Sequence, residues 1–248
     1  MIESADNYSQ NPRPDKISVP NIQLVLLGII LIGYPALSTI MNYISPPNDM
    51  EIESRIWQIY VPALIFQVFI FTTVIMAVML SPLKRAGRFF NAQENIASIG
   101  LKKSDFNWLN LVIGVAFLFA AIIFLHILSN IIGYYGLFQS EDISYLLPRT
   151  ALEKVFWIAL SISAGVAEEL CFRGFVITRL TILTGSIWPG VLIGSLSFGL
   201  GHLYQGWAGV VIIGIYGVLF SLLFVARGSL VPCIIAHMLQ DILAAFAM

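Results

Sequence analysis

The chain has 248 residues, of which 58% are hydrophobic and 11% charged, and its formal net charge is −1. A soluble domain carries about 25% charged residues, so this composition excludes an ordinary water-soluble globule and points to an integral membrane protein. The near-neutral balance also excludes a large nucleic-acid footprint, which needs a concentrated basic surface.

Residues 1–20 are polar, contain Pro12, Pro14 and Pro20, and read as a flexible tail. The apolar run from Ile22 to Ile44 is too long for a signal-peptide core and reads as a first membrane span. Further apolar windows follow at 57–80, 108–136, 152–175, 187–205, 207–226 and 229–247. The third of the seven windows is long enough to tilt or break, and Gly133 is the candidate break. The last four are tightly spaced and should pack as antiparallel neighbours. Lipid leaves only helices and closed barrels viable, and these unbroken apolar runs lack the alternation of barrel strands. The expected fold class is therefore all-α, a polytopic transmembrane helix bundle of about seven spans, roughly six to eight. Its organisation reads as a polar tail over 1–20, N-terminal transmembrane helices over 21–145 and a C-terminal core over 146–248.

Lys and Arg in short loops set orientation. The loop 81–107 holds Lys84, Arg85, Arg88, Lys102 and Lys103 and should be cytoplasmic. The loop 45–56 has Arg55 against Asp49, Glu51 and Glu53, so it belongs outside. The N-terminus, with Arg13 and Lys16, is then cytoplasmic, and Arg179 and Arg227 fall on the same side. A multi-pass protein of the cell membrane is the expected setting, with the lipid bilayer as its surroundings.

Ionisable groups inside membrane helices are costly, about 2.5–3.5 kcal/mol each at mid-helix on insertion scales. After Lys154 the Asp, Glu, Lys and Arg residues are Glu168, Glu169, Arg173, Arg179, Arg227 and Asp241, and His202 and His237 share the stretch. Glu169 and Arg173 are four apart on one helix face and can form a bidentate pair. Glu168 points about 100° away, with no local counter-charge, which suits a general base. Phe198 and His202 also share a face, and Gly190 and Gly194 form a small-xxx-small pair that allows close helix approach. His237 and Asp241 are again four apart, so the carboxylate could fix the imidazole tautomer or help to hold a water or a metal. His126 has no polar motif around it and reads as a packing or interhelical hydrogen-bonding residue. Cys171 and Cys233 lie in apolar segments and read as inert packing.

Together, Glu-Glu-x-x-x-Arg, Phe-x-x-x-His and His-x-x-x-Asp on successive late helices resemble the CAAX protease and bacteriocin-processing family, also called the Abi family. The family includes the type II CAAX prenyl endopeptidases. The likeness covers about residues 150–248. It implies a catalytic core in which Glu168 activates water, Glu169 and Arg173 organise it, and His202 shares the activation. His237 and Asp241 would stabilise the oxyanion or position a metal. Many relatives have Asn where this chain has Asp241, and an anionic Asp is a poor oxyanion donor. The implied substrate is a membrane-associated protein or peptide. No cofactor is the first choice. A divalent metal such as zinc is the second, with Glu168, His202, His237 and Asp241 as candidate ligands.

Other intramembrane protease classes fit less well, because the chain has no His-Glu-x-x-His and no Gly-x-Ser-x-Gly. The competing reading is a non-catalytic immunity, scaffold or transport-related protein that uses the same cluster for binding. Transport is disfavoured by the lack of broken helices in two matching halves. Helix counting leaves His202 some distance from Glu168 in depth. The fourth helix is therefore expected to start outside the bilayer and the fifth in the cytoplasm, with a water-filled cavity open to the cytoplasm.

Overall fold

A computed structural model describes residues 17–44, 52–137 and 141–246. Arg13 and Lys16, and Asp49 and Glu51 of the loop 45–56, lie outside the described residues. The apolar runs fold as helices because each must satisfy its backbone within itself in lipid. The first runs as α1 (Asn21–Gly28), a π-helical stretch (Ile29–Gly33) and α2 (Tyr34–Ile44). A second π-helical stretch (Ile56–Tyr60) leads into α3 (Val61–Leu80). After the short α4 (Ala92–Ala97) comes α5 (Trp108–Tyr135). Then α6 (Ala151–Glu169) continues through a π-helical segment (Leu170–Ile177) into α7 (Thr178–Thr184), and α8 (Trp188–Leu200), α9 (Gly206–Arg227) and α10 (Val231–Ala244) complete the bundle.

The helix ends obey local chemistry. Asn91 and Thr150 cap α4 and α6, each reciprocated by the glutamate three residues on, Glu94 and Glu153. Gly136 ends α5 in the left-handed conformation, φ 58°. The helix runs unbroken through Gly133, so the break expected there does not occur. Its backbone bonds stay within the helix, and the cost of one glycine is only about 1 kcal/mol.

Among the described residues, five helical stretches are long and apolar enough to cross a membrane: Asn21–Ile40, Ile56–Leu80, Trp108–Tyr135, Ala151–Thr184 and Leu203–Arg227. The fifth and seventh expected spans are shorter, 13 residues in α8 and 14 in α10. The fourth is longer than expected, 34 residues from Ala151 to Thr184, or about 50 Å at 1.5 Å per residue. The protein is an all-α polytopic bundle with one small addition. Residues Ile17–Ser18 (β1), Lys84–Arg85 (β2) and Arg88–Phe89 (β3) form a three-stranded antiparallel sheet. The end of the expected tail is therefore paired to the basic loop. Ala86 and Gly87 turn the β2–β3 hairpin with φ of 50° and 81°, the left-handed values that a two-residue hairpin demands.

The core is built by close helix approach. Gly190 sits against the backbone of Ile177, and Gly194 against Val176, so the small-xxx-small face of α8 lies on the π-helical segment. Gly165 brings α6 onto the backbone of Met238 in α10. Neutral amides and two arginines, the buried Arg179 and the exposed Arg227, tie one end of the bundle. Arg179 Nε donates to Gln23 Oε1 (2.6 Å), whose Nε2 donates to the carbonyls of Ser81 (2.6 Å) and Ala77 (3.3 Å). Arg227 binds Asn110, and the Leu230 N–H donates to the Gly100 carbonyl (2.9 Å). At the opposite end, Arg55 and Tyr60 donate to the carbonyls of Tyr145 and Leu146, each at 2.8 Å. The Glu141 N–H there donates to the Gln205 carbonyl.

Candidate active site

Glu168 and Glu169 close α6 at the point where the helix widens into its π-helical segment, a deviation that often accompanies functional sites. Glu169 is fully buried and Arg173 is 1% exposed. Arg173 Nη1 donates to Glu169 Oε1 at 3.0 Å, while Nη2 turns to the Gly217 carbonyl at 3.3 Å. The pair therefore rests on one hydrogen bond and is not the expected bidentate fork. The guanidinium also lies over the rings of Phe198 (4.6 Å) and Phe220 (5.2 Å), which draws its second nitrogen away from the carboxylate.

His237, on α10, donates Nδ1–H to the same Glu169 oxygen at 2.8 Å. That bond fixes the tautomer and leaves Nε2 free. Nε2 then lies 3.8 Å from Glu168 Oε2 and 3.6 Å from Asp241 Oδ2. The tautomer-fixing role expected of Asp241 thus falls to Glu169, because 3.6 Å exceeds hydrogen-bonding distance. The Asp241 carbonyl accepts from Trp157 Nε1 at 2.7 Å. His202, just past α8, donates Nδ1–H to the Phe198 carbonyl at 2.8 Å, again leaving Nε2 free. Its ring packs on Phe198, with centroids 4.8 Å apart, and Phe198 packs in turn on His237 at 6.4 Å.

These side chains share one cavity of about 730 Å³. Glu168, Glu169, His202, His237 and Asp241 are in its wall, together with Gln67, Tyr34, Tyr204 and Tyr216. Arg173 stands behind the wall and reaches it through Glu169. Three carboxylates and two imidazoles with free nitrogens around one hollow can hold a water, take its proton and return it.

Residues 150–243 match the family model described as type II CAAX prenyl endopeptidase Rce1-like. This stretch is an Rce1-like domain. It contains all seven residues of the three motifs and less than half of the chain. No match was found among curated proteins, and none among solved structures.

The Rce1-like domain does not build the cavity alone. Gln67 on α3 donates Nε2–H to Glu168 Oε1 at 2.8 Å, and the ring of Tyr34 on α2 lies against Gly201, beside His202. Neither was among the residues expected from the sequence. The available signal was the one amide within α3.

Depth is reconciled by helix length. Glu168 is 16 residues from the end of α7 at Thr184, and His202 is 14 residues from the start of α8 at Trp188. At 1.5 Å per residue these are about 24 and 21 Å, so the two groups lie level. His237 joins them because α10 begins inside the bundle, where Leu230 packs on Gly174.

The cavity reaches the end of the bundle formed by Gln58, Tyr145 and Gln205, opposite the basic loop 81–107. A cytoplasmic basic loop and a cavity open to the cytoplasm therefore cannot both hold. The short α8 carries His202 toward that opposite end.

His126 is on the exposed face of α5, away from the cavity, and does not pack between helices as expected. Cys171 and Cys233 are free and buried. Among the described residues, no three His, Cys, Asp or Glu side chains stand together as a metal-holding group. Glu169 and the Nδ1 of each site histidine already have partners, which leaves Glu168 Oε2, the Asp241 carboxylate and the two Nε2 atoms as the unengaged donors of the cavity.

Proposed function

We propose that the chain is an intramembrane endopeptidase that hydrolyses a peptide bond in a membrane-associated protein or peptide. In this reading a water in the cavity lies between Glu168 Oε2 and His202 Nε2. Glu168 takes its proton as the hydroxyl attacks the scissile carbonyl. His237 acts here as the doubly protonated imidazolium: with Nδ1–H held by Glu169, its Nε2–H donates to the oxyanion of the tetrahedral intermediate, where charge develops. Glu169 holds His237 by Nδ1, and Arg173 holds Glu169. The proton taken by Glu168 then passes to the leaving amine, so the base regenerates and water is consumed once per bond cut. Asp241 faces the same imidazole from the other side and balances its charge. No step runs through a metal.

The observation that carries this reading is the shared cavity, with Glu168 Oε2 and a free imidazole nitrogen 3.8 Å apart deep in the bundle. The Rce1-like match supports a CAAX-type protease at the level of the family. A prenylated tail is the first substrate class to try.

The test uses the purified full chain in lipid nanodiscs with a fluorogenic farnesylated CAAX-type peptide. It is paired with a survey of new N-termini in membranes expressing the unaltered chain or Glu168→Gln. Cleavage should vanish in the variant while its melting profile stays. Equal cleavage by Glu168→Gln removes the proposed base.

A further inference from the structure

Glu168 needs more than burial to serve as a base, because a freely turning carboxylate would spread its lone pairs over several directions. We propose that Gln67 is a positioning residue for this hydrolysis. Its side-chain N–H holds Oε1 of Glu168, so that Oε2 is aimed at the cavity. The inference rests on the endopeptidase reading above and adds a residue from outside the Rce1-like domain.

Gln67 is 7% exposed and lies on the packing stripe of α3, at the same seven-residue spacing as the buried Tyr60 and Val74. The flanking Val68 and Ile65 face outward. An amide on such a helix is expensive unless a partner offsets it. Its Nε2 is 2.8 Å from Glu168 Oε1, and the other carboxylate oxygen faces His237 Nε2. Hydrogen bonds to charged groups are the stronger class.

A comparison within the molecule separates positioning from simple packing. Gln23, also buried, uses both ends of its amide, donating to two carbonyls and accepting from Arg179. Gln67 uses only its donor end, and its Oε1 has no partner among the described residues. Gln23 ties helices together, whereas Gln67 serves one carboxylate.

The test uses the full chain in lipid nanodiscs and two readouts. The infrared carboxylate band of Glu168 is identified by its disappearance in Glu168→Gln. In Gln67→Leu that band should shift, since the hydrogen bond is gone. The same variant should lose roughly ten- to a hundred-fold in kcat on the farnesylated peptide, with KM within about two-fold. Its melting temperature should not fall, because leucine fits an apolar stripe. Gln23→Leu should lower the melting temperature and leave the band in place. An unshifted band in Gln67→Leu overturns the proposal, as does a shifted band with unchanged kcat. If the unaltered chain cuts neither the peptide nor any membrane protein, the hydrolase reading fails, and the band alone decides whether Gln67 sets Glu168.

Discussion

Replacing Arg173 by methionine should strip stability out of proportion to the volume changed. The guanidinium makes one bond to Glu169, one to the Gly217 carbonyl, and lies over two aromatic rings. Without it, Glu169 is a fully buried carboxylate whose remaining partner is His237, since its Oε2 has none among the described residues. Removing one member of a buried pair typically costs about 3–5 kcal/mol. The ring and carbonyl contacts overlap with that figure and are not added to it. Glu169→Leu should cost a similar amount by stranding the arginine. The double variant Glu169→Leu with Arg173→Met removes both charges together and should recover to within about 2 kcal/mol of the unaltered chain. The measurement is reversible unfolding of the four proteins in mixed micelles. The reasoning fails if Arg173→Met is within about 0.5 kcal/mol of the unaltered chain, or if the two single losses simply add in the double.

Gly201→Ala would drive a methyl into the Tyr34 ring, and should cost about 1–3 kcal/mol by overpacking. In a Tyr34→Ala background the same change should cost nothing further in thermal unfolding. The Arg88 guanidinium, helped by the Asn91 N–H, holds the exposed Glu94 carboxyl down at about 2. Its contribution to the basic loop is therefore complete above the ordinary carboxylate range and is lost as pH falls through about 2, which amide exchange across Ala92–Ala97 would follow. In Arg88→Ala that loss should move up toward the ordinary range. Cleavage should survive chelators, and purified protein should hold much less than one zinc per chain. Activity lost to a chelator and restored by zinc would transfer the activation of water to an ion.

The helices were readable because lipid leaves apolar runs few alternatives, and the motif residues because charge after Lys154 is so sparse. The pairing among those residues was only partly readable. Glu169 with Arg173 follows from helical spacing alone. The bond from His237 to Glu169 joins positions 68 apart, and the competing Asp241, one turn away, looked the better partner. Gln67 was hidden for the same reason: it meets Glu168 across 101 positions, and a neutral amide leaves no charge to notice. The paired strand Ile17–Ser18 could not be foreseen, since its partners lie in the basic loop and two residues carry no periodicity. The true lengths of the fourth, fifth and seventh helices depend on packing, because α7 continues past the apolar window and α10 begins within the bundle.

The short helices have a consequence for the surrounding lipid. At 13 and 14 residues, α8 and α10 are only about 20 Å long, against a hydrocarbon slab of about 30 Å. α8 presents Leu192, Ile193 and Leu196 outward, and thinning of the bilayer beside it is one way to match its length. Headgroups and their hydration are drawn closer to the buried carboxylates without any pore through the molecule. Acyl chain length in the host membrane thereby becomes a physical control on how readily solvent reaches the site.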